Sequence, residues 1–102
     1  MNKFTIYLGL NDKDTKLQKY DIIEAYKIVT NFLSKKVDGA TIYHAQGVYY
    51  HTNGDPVIET TLRIELIDVE RRDVQEIVSN LKVLFNQESV LLQTENVNCR
   101  FV

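Results

Sequence analysis

The chain has 102 residues, of which 44% are apolar and 25% are charged. These fractions are typical of globular proteins and exclude a largely disordered chain. Twelve Lys and Arg against fourteen Asp and Glu give a net charge of −2, which argues against binding to nucleic acid through bulk positive charge. The length predicts a single domain over residues 1–102. No run reaches the roughly 18 apolar residues that a membrane span needs, so no membrane partner is expected.

The first third of the chain predicts a strand followed by a helix. Residues 3–10 alternate between apolar and polar side chains, as in a strand with one buried face. After a polar loop, Asp21 and Glu24 have the spacing of a capping box, which favours the start of a helix. Apolar residues then recur at helical spacing, which predicts a helix over 22–36 with Phe32 as a buried anchor.

The middle of the chain predicts a β-hairpin. Strand-like residues 41–51 and 57–67 flank Asn53-Gly54, a pair that tolerates the positive φ of a tight turn. A loop of two or four residues centred on this pair would place Tyr49 opposite Ile58. A loop of three residues would break that register.

The end of the chain predicts a second helix over 71–86, with Leu81 as a buried anchor, and a final strand over 97–102. That strand is either single or split, with residues 89–92 as its first part. Cys99 falls on the apolar side of the strand, which favours a small core residue over a nucleophile.

The element order is therefore β-α-β-β-α-β. This order predicts a ferredoxin-like α+β sandwich, in which both helices cover one face of an antiparallel sheet. We call the other side of the sheet the open face. The predicted register gives it a mixture of apolar, aromatic and polar side chains, which is typical of an interface. The candidate binding surface consists of Tyr7, Ile42, His44, Val48, Tyr50, Val57, Glu59 and Arg63.

His44 and Glu59 would lie on neighbouring strands of this face, as an acid–base pair or as part of a polar ladder that only solubilises the sheet. The ladder is the commoner arrangement, so no catalytic residue is assigned. The two histidines, His44 and His51, fall on opposite faces, and neither a phosphate loop nor a zinc spacing is present. No metal or cofactor is predicted.

Short segments along nearly the whole chain carry a resemblance to a known family. They are Tyr7-Leu8-Gly9-Leu10, Val37-Asp38-Gly39-Ala40-Thr41-Ile42, Gln46-Gly47-Val48-Tyr49, Gly54, Glu59 and Phe85-Asn86-Gln87-Glu88-Ser89-Val90-Leu91, followed by Cys99 and Phe101. The pattern is similar to that of a bacterial family of small domains of unknown function, with Gly-Gln-Trp in mid-chain and Phe-Gly-Gln-Glu-Ser-Val-Leu late. Here Val48-Tyr49 replaces Gln-Trp, and Asn86 replaces the Gly. The resemblance implies the same fold and no established activity.

Three functions fit these features. The leading one is a non-enzymatic module that binds a protein or ligand and self-associates through the open face, as a homodimer in the cytoplasm. The second is a phage- or mobile-element-encoded inhibitor that binds a host defence protein. The third is a small enzyme with a pocket at a dimeric sheet interface.

Overall fold

The structure, a computed structural model, describes all 102 residues and confirms the predicted architecture. Strands β1 to β4 span Asn2–Gly9, Thr41–Tyr50, Pro56–Ile67 and Leu91–Asn96, and helices α1 and α2 span Ile22–Leu33 and Arg71–Leu84. All pairs of neighbouring strands are antiparallel, and the sheet order is β2-β3-β1-β4. The chain therefore forms a ferredoxin-like sandwich.

The two helices pack on the side of the sheet that the alternation in β1 predicts. Asp21 accepts a hydrogen bond from the N–H of Glu24 at 2.8 Å, which confirms the predicted cap of α1. Leu81 of α2 is fully buried, whereas Phe32 of α1 is only half-buried at the edge of the core. Neither helix has the length and apolar character needed to cross a membrane. The core consists of Phe4, Ile6, Leu8, Leu10, Ala25, Val29, Leu33, Leu62, Ile64, Leu66, Val74, Ile77, Leu81 and Phe85.

The predicted register of the β2–β3 hairpin is wrong by one residue, because its loop has three residues. The N–H of His51 donates to the carbonyl of Asp55 at 2.9 Å, which leaves residues 52–54 as the loop. Gly54, at its end, has a φ of 90°. Val48 consequently faces Ile58, where the sequence predicted that Tyr49 would.

A one-residue shift moves every β2 side chain to the other face of the sheet. Ile42, His44, Val48 and Tyr50 were predicted on the open face but point to the helix side. Ile42, for example, lies opposite the buried Ile64. The predicted faces of β1 and β3 are correct, because their apolar alternation does not depend on the loop.

The last strand lies earlier than predicted. β4 spans Leu91–Asn96 and pairs with β1, with Leu92 opposite Ile6 and packed against the core. The connection after α2 is short, so the first apolar run that follows it reaches the edge of β1. Residues 97–102 lie outside the sheet, and Cys99 is exposed rather than a core residue.

Candidate functional site

The open face has two parts, a cluster of stacked side chains at one end and a cleft at the other. The guanidinium carbon of Arg63 lies 5.9 Å from the ring centroid of Tyr7 and 5.2 Å from that of Tyr43. Arg63 also donates to Glu65 at 2.8 Å, and Lys3 pairs with the same carboxylate at 3.1 Å. This cluster covers one end of the open face. The other end is a cleft.

The floor of the cleft is made of small side chains. Gly9 of β1 pairs with Thr61 of β3, and Gly47 of β2 pairs with Glu59 two residues along. Glycine inside a strand often marks a close approach of another group to the backbone. Tyr7, Tyr49, the loop 11–16 and residues 87–91 form the walls, and the cleft has a volume of about 820 Å³.

Glu59 is the buried carboxylate of this cleft, with only 6% of its surface exposed. One carboxylate oxygen accepts a 2.5 Å hydrogen bond from the Tyr49 hydroxyl, and the other accepts from the N–H of Asn11 at 2.8 Å. The carboxylate lies directly on Gly9, where a Cβ atom would overlap it. Glu59 can therefore occupy this position only because residue 9 has no side chain.

The charge of Glu59 has no basic partner in the chain. All four ion pairs involve the carboxylates of other residues, and the two donors to Glu59 are a neutral hydroxyl and a backbone amide. Buried carboxylates are usually paired with a cation. Lys13 and Lys16 line the cleft at its outer rim. The cleft thus has a carboxylate on its floor, and its lining also includes two basic side chains, Lys13 and Lys16, and two further acidic ones, Asp12 and Glu88.

A second set of hydrogen bonds holds the loop that donates to Glu59. The side-chain amide of Gln87, which is itself buried, donates to the carbonyl of Asn11 at 2.7 Å and to that of Phe85 at 3.2 Å. The preceding Asn86 donates to Asp12 and Asp14, both at 2.9 Å. The hydrogen bond from Asn86, with those from the Thr15 and Asp14 amides, lowers the pKa of Asp12 to about 2.

The hydroxyl of Tyr49 is held in its neutral form. Burial and, next, the hydrogen bond to Glu59 raise the pKa of Tyr49 to about 12 from its ordinary value of 10.0. Because the unfolded tyrosine ionises first, the free energy of unfolding should fall as the pH rises from about 10 to about 12.

We expect Tyr49→Phe to remove this contribution. Urea unfolding at pH 9 and at pH 11.5 should show wild type more stable than Tyr49→Phe at the lower pH, with a smaller difference at the higher pH. The effect should be modest because the ring is half exposed. A difference that stays constant between the two pH values would show that the hydrogen bond does not control this hydroxyl.

The predicted binding surface is only partly brought together. Tyr7, Val57 and Glu59 line the cleft, as does Val48 at its margin, and Arg63 lies in the stacked cluster beside it. Ile42, His44 and Tyr50 point to the opposite side of the sheet. His44 and Glu59 are therefore on different faces, and the acid–base pair considered for them does not form. Whether the predicted surface binds a partner stays a prediction.

Several cleft residues were missed as site residues, among them Gly9, Gly47, Tyr49, Asn11 and Gln87. The signal for the first two was the presence of glycine inside predicted strands. A second signal was available in several of the segments that carried the family resemblance, since parts of them line this cleft: Tyr7 and Gly9, Gly47 to Tyr49, Glu59, and Gln87 to Ser89 with Leu91.

The sequence and the fold are both similar to known proteins. The profile of a family described as "Protein of unknown function (DUF3574)" matches residues 3–101. No curated protein matches the sequence.

Two solved structures of a phage SAM lyase each match 92% of this chain. The apo state has a TM-score of 0.68, 24% identity and 78% coverage of its own chain. The complex with S-methyl-5'-thioadenosine has a TM-score of 0.67, 26% identity and 79% coverage. CutA1 from Pyrococcus horikoshii OT3, in a mutant form, matches 96% of this chain and 86% of its own, with a TM-score of 0.60. At 14% identity, CutA1 is similar in fold alone.

Proposed function

Since the chain belongs to the DUF3574 family of unknown function, its activity has to be argued from its own cleft, and we propose that this cleft binds S-adenosylmethionine or a nucleoside thioether derived from it. The observation that carries the proposal is the carboxylate of Glu59, which has no basic partner and is buried in a cleft whose lining includes Tyr7 and Tyr49. A sulfonium group is a permanent, weakly hydrated cation. A carboxylate together with the faces of aromatic rings suits such a cation.

The remainder of the cleft is suitable for the other parts of this ligand. Its volume of about 820 Å³ lies within the range of small-molecule sites, which is roughly 300–1,000 Å³. The rings of Tyr7 and Tyr49 offer apolar surface to a nucleoside, and Lys13 and Lys16 at the rim can pair with the carboxylate of the amino-acid part. The 26% identity to the phage enzyme bound to S-methyl-5'-thioadenosine supports the same class of ligand.

Cleavage of the bound ligand is the second candidate function, and the likeness to that lyase favours it. Breaking the bond between the sulfur and the amino-acid chain leaves the electron pair on sulfur, which turns the sulfonium into the neutral thioether S-methyl-5'-thioadenosine. The four-carbon fragment balances its charge by closing onto its own carboxylate or by losing a proton. The step needs no second substrate. Binding without turnover would instead make the protein a non-enzymatic module, while the inhibitor hypothesis stays a prediction that no feature of the cleft favours.

We expect Glu59→Gln to bind S-adenosylmethionine at least tenfold more weakly than wild type in isothermal titration calorimetry. This corresponds to about 1.4 kcal/mol, a modest value for loss of a buried charge contact. Binding of the neutral S-methyl-5'-thioadenosine should change much less, because the substitution keeps the shape and removes the charge. Chromatography of the same mixtures reports whether the thioether is also produced.

The matched control is Glu65→Gln, which neutralises another carboxylate of the same strand and face outside the cleft. It should leave both affinities within about twofold of wild type. Equal loss in the two variants would point to a general electrostatic effect. Failure of wild type to bind either compound would reject the proposed ligand.

A further inference from the structure

The outer edge of β2 is an exposed strand edge with none of the usual protection. Strand Thr41–Tyr50 is the last strand on its side of the sheet, so the backbone groups along its outer side have no strand partner. The strand contains no Asp, Glu, Lys, Arg or Pro. Native proteins commonly use charge, proline or a bulge to block such an edge. A long edge without them is suited to pairing with another strand.

The same chain contains a strand-like segment that has no strand partner beyond its first residue. Residues 97–102 place Val97, Cys99 and Phe101 at alternate positions, the pattern of a strand with one apolar face. The backbone of this segment makes hydrogen bonds only at Val97, which both donates to and accepts from Met1. The side chains of residues 98–102 are exposed, and that of Phe101 is 100% exposed.

This segment is too short both to cross the sheet to β2 of its own chain and to pair along that strand. It follows β4, which lies at the opposite edge of the sheet from β2. Three strand spacings of about 4.8 Å separate the two edges by about 14 Å. Six residues span about 20 Å when fully extended, so crossing the sheet would use most of the segment. Residues 97–102 can therefore pair with the β2 edge of another copy but not with that of their own chain.

We propose that residues 97–102 of one copy pair with the outer edge of β2 in a second copy, as a fifth strand of that copy's sheet. The exposed apolar side chains of the hairpin indicate which way the added strand faces, because Tyr43 and Tyr49 on the open face already contact Arg63 and Glu59. Val48, Tyr50 and Ile58 are exposed on the helix side, beyond the area covered by the helices. The apolar side of the segment, with Phe101, covers them.

The pairing joins two different surfaces, the segment of one copy and the β2 edge of another. It therefore either continues from copy to copy until a ring closes, or links two copies that exchange their segments. With its apolar side chains on the helix side, the added strand directs Arg100 of the partner subunit toward the open face. There it lies beside Gly47 and Tyr49, at the wall of the cleft. The pairing requires the free edge of β2 and residues 98–102, whatever ligand the cleft binds.

Disulfide trapping tests the pairing directly, because the chain has a single cysteine, Cys99. Gln46→Cys and Val48→Cys each add a thiol on the same side of β2 as Cys99 in the added strand. Mild oxidation should give cross-linked species on a non-reducing gel for at least one of them, and adding Cys99→Ser should abolish it. Lys27→Cys on the exposed side of α1 and oxidised wild type are the controls and should not give this species. No cross-link from either β2 position, or equal cross-linking from Lys27→Cys, overturns the proposal.

Sedimentation velocity at tens of micromolar provides a second measurement. Wild type should sediment as an assembly and Phe101→Asp as a monomer, whereas Val83→Asp, which alters an exposed valine of α2, should sediment as wild type does. A wild-type monomer, or a Phe101→Asp variant that remains assembled, overturns the proposal. Cross-linking of Cys99 to a thiol placed at Thr94 in β4, in preference to β2, assigns the segment to the other edge and also overturns it.

Discussion

Replacing Gly9 by alanine is expected to weaken S-adenosylmethionine binding at least tenfold while the protein remains folded. A Cβ atom at this position would overlap the carboxylate of Glu59. The backbone of β1 accommodates alanine without strain, and the overlapping atoms are the movable end of a side chain. Stability should therefore change by no more than the roughly 1–3 kcal/mol typical of overpacking. The carboxylate, however, has to leave the floor of the cleft, and its bonds to Tyr49 and Asn11 are lost with it.

Gly39→Ala is the matched control, since a Cβ atom at Gly39 meets nothing within 4 Å. Calorimetric titration and urea unfolding of both variants separate an effect on the cleft from an effect on the fold. Wild-type affinity in Gly9→Ala would mean that the position of Glu59 is unimportant for the ligand. Because the prediction assumes the proposed ligand, it becomes informative once wild type has been shown to bind.

Leu81→Ala is expected to lower the free energy of unfolding by roughly 2–5 kcal/mol, the largest stability effect of any substitution considered for this chain. Leu81 is fully buried between α2 and the sheet, so truncation removes apolar burial and leaves a cavity. Phe32→Ala should cost less, because its ring is only partly buried, at the edge of the core. For a domain of this size such losses are a large part of the total stability.

Urea unfolding of the two variants, with Val83→Ala as an exposed control on the same helix, measures these differences. Val83→Ala should lie within about 0.5 kcal/mol of wild type. A cost for Phe32→Ala equal to that for Leu81→Ala would mean that α1 is packed more deeply than the exposure of its side chains indicates.

Much of the fold could be predicted from the sequence because it is specified by long periodic segments. The alternation of Phe4, Ile6 and Leu8, and the helical spacing that includes Leu81, each involve several residues that agree. The faces of β2 depended on a single local choice, the length of the loop around Asn53-Gly54. Asn-Gly is compatible with loops of two, three or four residues, so the sequence alone does not determine the register.

The cleft was harder to predict, because it depends on contacts between distant segments. Glu59 was expected on the open face, and it lies there. Its burial, however, results from Gly9 on the neighbouring strand, Tyr49 on the shifted strand and Asn11 in a loop that Gln87 holds. Only the tertiary structure brings Gly9, Tyr49 and Asn11 to the carboxylate. Similarly, the strand-like pattern of residues 97–102 did not reveal that β4 forms before them.

The three-residue loop of the hairpin sets the pairing of β2 with β3, and through it determines which β2 side chains reach the cleft. If the same residues formed a loop of two or four residues instead, β2 would change phase relative to β3, and Val48 or Tyr50 would replace Tyr49 on the open face. Glu59 would then lose its hydroxyl donor, although neither strand had changed in composition. The choice of the residue pair that closes this turn, which contributes no hydrogen bond to Glu59, therefore determines whether the carboxylate keeps its tyrosine.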